Sequence, residues 1–326
     1  MDGVVGMVLA AGLGTRLRPL TDLLPKPAVP VAGLPLLQFA LARLRAAGAR
    51  RAVVNAHHLA GEMERVAKEA GRGAGLEVAI SHEPVIAGTG GALRQARSLL
   101  GEARAVVLWN GDVLFDLDLE GVLAAHRASG ALSTMVLAPM PPGAAYATVD
   151  VDRSMAVRRI AGHGPGGADL VPLHFTGVHV LSPDLLDRVP DEPFACDVNR
   201  HVYPPLLERG QVRAVVAGGY WNDLGTPARY LQANLDVLTG AAPVLRPGAE
   251  PFAALREAGS RAWVALDAEV DEGATLVGPV LVGRGCRVPA GAWVERAVLW
   301  PGTELRPGER LVDAVAAGEL RVPAIG

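Results

Sequence analysis

Between Leu9 and Pro27 the chain reads LAAGLGTRLRPLTDLLPKP, directly after the apolar run VVGMV. Two glycines, two arginines and a lysine fall in one loop. The lysine stands out, because Lys26 and Lys68 are the only lysines among 31 Lys plus Arg residues. Two glycines after a strand most often mark a simple turn into a helix. A dinucleotide fingerprint is excluded at its last position, where Leu17 stands in place of the glycine that close helix–strand packing needs. No Gly-Lys-Ser/Thr of a P-loop follows. The third reading, beside the plain turn, is a loop for a nucleoside triphosphate. Gly12 and Gly14 let backbone N–H groups turn toward phosphate oxygens. Arg16 offers a planar fork of donors to the β- and γ-phosphates. Lys26, held between Pro25 and Pro27, brings a compact charge to an α-phosphate.

GLGTRLRPLT followed by PKPAVPVAG closely resembles the sugar-1-phosphate nucleotidyltransferase family, whose signature is a strand, GxGxRLxPLT and then PKP. The resemblance covers the whole chain. It implies a Rossmann-like fold and a Mg²⁺-dependent reaction in which NTP and sugar 1-phosphate give nucleotide-sugar and pyrophosphate. It also implies a site. Asp112, at the end of VVLWNGD, and Asp223, in YWNDLGTP, would hold the metal through hard oxygen ligands. With Arg16 and Lys26 they form the expected catalytic set. Leu9, Ala10, Ala11, Gly12, Gly14, Thr15, Arg16 and Asn110 would line the nucleotide, and EPVIAGTGGAL would supply Glu83, Gly88, Thr89 and Gly90 to the base. Lys26, Tyr146, Thr176, Gly177 and Asn222 are the candidates for the sugar phosphate. One departure stands out. Many family members place a Glu-Lys pair between the central strands, but this chain has no lysine after Lys68. VRRIAGHGPGGADL offers Arg158, Arg159 and His163 there instead. The implied mechanism is in-line attack of a sugar phosphate oxygen on the α-phosphorus. The nucleophile is already an anion, so no general base is needed.

Alternating strand-like and helix-like runs up to about residue 130 argue for βαβ units. Four strand-like runs follow up to residue 181, and PARYLQANLDVLTG reads as a helix with Thr226 at its N-cap and Pro227 at N1. Residues 240–258, rich in Ala, Pro and Gly, read as a linker. Beyond them Val264, Val270, Leu276, Val282, Val288 and Val294 recur every six residues, continued by Trp300, which is the hexapeptide pattern of a parallel β-helix. The expected architecture is therefore α/β: a Rossmann-like nucleotidyltransferase domain over 1–239 with a mixed, mostly parallel sheet, the linker, and a short left-handed parallel β-helix over 259–326. So short a solenoid covers its apolar surface poorly. It is expected to dock on the catalytic domain or on a second subunit, giving a homo-oligomer. It should supply no catalytic group, so a chain ended near residue 240 should keep its chemistry.

The bulk properties agree. A net charge of −3 with no dense basic tract argues against nucleic acid as a partner. No apolar run approaches the ~20 residues of a membrane span, and the N-terminus lacks the pattern of a signal peptide. Cys196 and Cys286 fit no metal spacing and suggest a reducing, cytoplasmic setting. An acyltransferase of the hexapeptide type would need a histidine in the repeats, yet all eight histidines lie at or before His201. A silent nucleotide-sugar sensor would be favoured by loss of Arg16, Lys26 or either aspartate, and all four are present. Within the family, the tail and GTGGAL lean toward mannose-1-phosphate guanylyltransferase-like proteins. N-acetylmuramate or hexose 1-phosphate uridylyltransferases and glucose-1-phosphate thymidylyltransferases are the alternatives.

Overall fold

The computed structural model describes residues 3–101, 103–243, 254–258 and 261–324. The chain forms two compact units. The first takes Met1–Gly12, Ala40–Val113 and Leu117–Gly219, and the second takes Leu13–Phe39, Leu114–Asp116 and Tyr220–Gly326.

The first unit is built on a nine-stranded mixed sheet. Its centre is Val4–Leu9, an apolar run buried almost throughout, as a parallel strand covered on both faces must be. Arg51–Ala56 pairs with it in parallel on one side and Ala105–Asn110 on the other, and Glu77–His82 extends the sheet beyond Arg51–Ala56. The other half is organised by the long strand Val171–Leu181. Its end runs antiparallel to Ala105–Asn110, and its start runs antiparallel to Thr148–Val151. It also pairs with Ser133–Ala138, with a bulge between Phe175 and Val178. Helices Ala60–Ala74, Gly88–Leu100 and Leu119–Ser129 accompany the sheet. On Ala60–Ala74 the buried face is Met63, Val66, Ala67 and Ala70, while Lys68 points outward to Glu64 at 2.5 Å. No described helix is long and apolar enough to cross a membrane.

Two histidines lie deep in this unit. The His179 Nδ1 is 2.8 Å from the Tyr203 hydroxyl, which is 2.6 Å from Ser133 Oγ. The His126 Nδ1 is 2.9 Å from Thr134 Oγ1. Burial pushes the imidazole of His179 down to about 3, and burial, helped by Arg127, pushes that of His126 down to about 4.

In the second unit the hexad pattern becomes stacked parallel strands. Ala262 pairs with Val280, Glu269 with Arg287 and Thr275 with Trp293, each eighteen residues on. This is the register of a parallel β-helix with three hexads per coil. Val264, Val282, Val288 and Val294 fill its interior, with Val270 and Leu276 packed at the margin. Trp300 departs from the series. The next coil is one residue shorter, so Leu299 rather than Trp300 stacks on Val282. Trp300 packs instead in a separate core with helix Pro227–Thr239 and with Leu17, Leu20, Val29, Val31 and Leu36. That helix is capped as its sequence implies: Thr226 accepts from the Arg229 N–H and Pro227 opens the first turn. The linker reading needs amendment. Residues 244–253 lie outside the described residues, but Leu255–Ala258 is a strand antiparallel to Ala262–Ala265. Paired along that edge, it extends the solenoid sheet.

The solenoid docks on helix Pro227–Thr239. Trp263 Nε1 donates to Leu238 O at 3.2 Å, and Trp300 Nε1 donates to the Tyr230 hydroxyl at 2.8 Å. Tyr230 in turn donates to the carbonyl of Pro30. Ending the chain near residue 240 would strip Trp300, Val298 and Val315 from a core that also contains the signature loop's leucines. This packing argues against a dispensable tail.

Two outcomes follow. Tyr230→Phe removes both hydrogen bonds and leaves Trp300 Nε1 and Pro30 O buried without them, which should lower unfolding free energy by about 1–3 kcal/mol. Urea denaturation checks this, and an unchanged midpoint would mean the pair contributes nothing. The two histidines make stability pH-dependent. Each is neutral when folded and takes a proton when unfolded below about pH 6.5, so stability falls as pH drops from there toward 4. Each contributes up to about 1.4 kcal/mol per pH unit. His179→Gln should flatten the loss measured by melts between pH 7.5 and 5; an unchanged slope would remove His179 from it.

Candidate functional site

In the first unit the site is set by strand order. The chain leaves Val4–Leu9 toward Arg51–Ala56 on one side, and Ala105–Asn110 lies on the other. Such a switch point opens a crevice beyond the carboxyl ends of the strands, where ligands bind in open α/β sheets. Leu9 is in register with Asn110, and the Gly111 N–H donates to Leu9 O at 2.9 Å. This fixes the Leu9–Gly12 loop against the turn that carries Asp112. Ala10 and Ala11 are buried, whereas Gly12 is exposed, with no atom within 4 Å of the place a Cβ would occupy. That open space is what a backbone approach to phosphate requires. Asp112, next in the chain after Gly111, is half-buried.

Gly177 joins this cluster. Its φ is +91°, and a Cβ there would stand 3.1 Å from Asn110 Cβ and Nδ2. The glycine lets the bulge of the long strand lie against the end of Ala105–Asn110. Thr176 is fully buried and donates to Val136 O at 2.7 Å, so its hydroxyl supports the bulge from inside. Tyr146 stacks on His174 with ring centres 5.3 Å apart.

The glycine-rich segment after Glu83 has a different arrangement from the one its sequence suggests. The close approach at Gly88 and Gly90 is to the chain itself: a Cβ on Gly88 would meet Cys196 O at 2.5 Å, and one on Gly90 would meet Cys196 Sγ at 2.6 Å. Cys196 O accepts from Gly90 N–H at 2.8 Å, and Thr89 Oγ1 accepts from Val198 N–H at 2.9 Å. The helix start is therefore held by segment 194–198. Glu83 is buried, with its carboxylate turned inward to Asn55 and to the Ala87 N–H.

In the second unit the loop of the signature is made of short turns, Thr15–Leu17, Leu20–Leu23 and Lys26–Ala28. Leu17 and Leu20 are wholly buried and act as anchors, which leaves Thr15 and Arg16 exposed. Gly14, at φ +61°, is pinned by Thr21, whose hydroxyl donates to Gly14 O at 2.9 Å. A Cβ on Gly14 would stand 2.8 Å from Thr21 Cγ2 and 3.3 Å from Lys26 Cβ. Lys26 is itself buried, at 8% exposure. Arg16 lies on Gly225, whose would-be Cβ falls 3.1 Å from Arg16 Nη1. The GLGTRLRPLT and WNDLGTP motifs thus meet through a glycine. Asp223 is buried and ion-paired with Arg229. Asn222 Nδ2 reaches the Tyr220 hydroxyl at 3.3 Å.

Sequence reasoning passed over Asn55, Thr21, Gly225 and Arg229. Asn55 carried a signal, an amide at the end of the apolar run RAVVNA. The arginines offered in place of the missing lysine are only partly available: Arg158 is bound to Asp152 at 2.7 Å, and the Ser154 hydroxyl with Arg158 holds that carboxyl well below the usual carboxylate range.

Among the described residues no group of three or more His, Cys, Asp or Glu forms a metal cluster. The half-buried carboxylate of Asp112 suits Mg²⁺, which is usually held by one or two carboxylates with phosphate oxygens and water completing its shell.

Comparison with known proteins bears on the class of chemistry. The chain is 32% identical over 310 residues to a mannose-1-phosphate guanylyltransferase of Mycobacterium tuberculosis, covering 94% of this chain and 82% of that one. It is 29% identical over 350 residues to a UTP–glucose-1-phosphate uridylyltransferase of Synechocystis, covering 98% and 89% respectively. A Drosophila melanogaster mannose-1-phosphate guanylyltransferase catalytic subunit beta is 28% identical over 71% of this chain. The family model described as nucleotidyl transferase matches residues 5–240, a span holding every candidate residue above, and the chain belongs to that family.

Proposed function

We propose that the protein is a Mg²⁺-dependent sugar-1-phosphate nucleotidyltransferase of the cytoplasm, with GTP and mannose 1-phosphate as its substrates. One observation carries the reading: at the switch point of the sheet, an open glycine loop stands in register with the strand end that carries Asp112. Phosphate-binding backbone and a hard-oxygen ligand are what nucleotidyl transfer needs there. The Mycobacterium relative supports the choice of base and sugar, and the Synechocystis relative favours UTP and glucose 1-phosphate as the second reading.

In this mechanism a sugar phosphate oxygen attacks the α-phosphorus in line. The bond from that phosphorus to the bridging oxygen breaks, and pyrophosphate leaves with the electron pair. The backbone around Gly12 and Gly14 holds phosphate oxygens. Arg16 places its fork on the triphosphate, braced on Gly225. Lys26, positioned by burial, counters charge on the reacting phosphates. Asp112 and Asp223 would hold Mg²⁺, which when bound neutralises charge on the phosphate oxygens. Asp223 would then exchange part of its pairing with Arg229 for the metal. Charge stabilisation of this kind, rather than proton transfer, carries the rate.

The direct test follows pyrophosphate release with GTP, UTP, dTTP, CTP and ATP against several sugar 1-phosphates. GTP with mannose 1-phosphate should give the highest kcat/KM; no release with any pair would overturn the reading. Asp112→Asn and Asp223→Asn should each lower kcat by ~100-fold or more. Near-normal turnover of either at limiting Mg²⁺ would remove it from the metal site. Lys26→Ala should cripple turnover, whereas Lys68→Ala, an exposed charge on its helix, should change stability by less than ~0.5 kcal/mol and leave rates intact. Equal activities of the two variants would contradict the role of Lys26.

A further inference from the structure

The first unit contains a buried polar chain that links its two glycine loops. The Ala10 N–H donates to Asn55 Oδ1 at 2.5 Å. Asn55 Nδ2 donates to Glu83 Oε1 at 2.7 Å, and the Ala87 N–H donates to Glu83 Oε2 at 3.0 Å. Asn55 and Glu83 are each 3% exposed. Ala10 opens the loop that leads to Gly12, and Ala87 immediately precedes helix Gly88–Leu100. The backbone adds two further ties at the same place, Glu83 N–H to Ala56 O at 2.8 Å and His57 Nδ1 at 2.8 Å from Glu83 O.

We propose that Asn55 and Glu83 form a positioning pair that sets the spacing of the two nucleotide loops, so that Glu83 acts through Ala10 and Ala87 and not by touching the base. This rests on the nucleotide reading of those loops. Counting donors and acceptors shows why these two residue types are needed. Both ends of the chain are backbone N–H donors. Ala10 requires an acceptor, which turns Asn55 Oδ1 toward it and leaves Nδ2 facing Glu83. Glu83 must then accept twice, from Asn55 and from Ala87, which a carboxylate does and an amide cannot. Glu83→Gln leaves one donor too many. Turning either amide over only moves the clash along the chain, to Ala10 or to Ala87. Asn55→Asp fails in the opposite sense, because two carboxylates then face each other. A protein carrying both Asn55→Asp and Glu83→Gln is satisfied throughout: Asp accepts from Ala10 and from the Gln amide, and Gln accepts from Ala87. Volume and net charge are both kept.

The test measures the dissociation constants of GTP and UTP by calorimetric titration with Mg²⁺ and no sugar phosphate, alongside melting temperature, for wild type, both single variants and the double variant. Each single variant should bind about tenfold or more weakly, the range expected when a buried donor or acceptor loses its partner. The double variant should return to within about threefold of wild type. A side chain that touches the base directly would not be rescued by a change at Asn55. A double variant that binds no better than the weaker single variant overturns the proposal. So do single variants that melt early yet bind nucleotide normally, since the pair would then be structural only. If a single variant does not fold, a folded double variant of wild-type affinity still supports the proposal, and an unfolded one overturns it. A wild type that binds GTP or UTP but releases no pyrophosphate would sink the proposed reaction and leave the pair standing. One that binds neither would sink both.

Discussion

In the proposed reaction several phosphates must be held at once by cations that do not relax away from one another, and that requirement rests on the burial of Leu17 and Leu20. The turns that carry Arg16 and Lys26 are each three residues long, too short to be stable alone. Their geometry comes from two leucines with no exposed surface, each worth about 1.5–3 kcal/mol when fully buried. Those leucines share a core with Tyr230, Leu231 and Leu235 of helix Pro227–Thr239, and with Trp300 and Val315 of the solenoid. The solenoid therefore closes the core on which the signature loop stands. In the proposed mechanism it supplies no catalytic group, yet the placement of Arg16 and Lys26 depends on it.

The same economy runs through the rest of the site. Gly14 and Gly225 are glycines because Thr21 and Arg16 lie where a Cβ would intrude. Gly177 is one because the long strand must pass within reach of Asn110. In each case the missing side chain allows protein to approach protein, whereas above Gly12 space is open, as the proposed approach to phosphate needs.

Much of this was legible in the sequence, and for physical reasons. The strand run VVGMV, the helix cap Thr226-Pro227 and the six-residue period are local patterns fixed by burial and backbone geometry. They identify their elements without tertiary information. The departures arose where long-range packing decides. Trp300 keeps the hexad spacing, but a coil shortened by one residue turns it toward Tyr230. Leu255–Ala258 reads as linker from its composition, yet it pairs with a strand that supplies its hydrogen bonds. Glu83 reads as a base contact because an acid beside a glycine loop invites that role. Only the position of Asn55, 28 residues earlier, shows where its carboxylate turns. An amide at the end of RAVVNA marks Asn55 alone, and nothing local ties it to Glu83.

The central claim, that the signature loop and the solenoid stand on one core, is tested most directly by hydrogen exchange on the full-length Trp300→Ala protein. Removing the indole should raise amide exchange at Leu17, Ala28 and Val29 together with helix Pro227–Thr239, although Trp300 is hundreds of residues away in sequence from the loop. Faster exchange confined to the solenoid strands, with the loop protected as in wild type, would contradict the account.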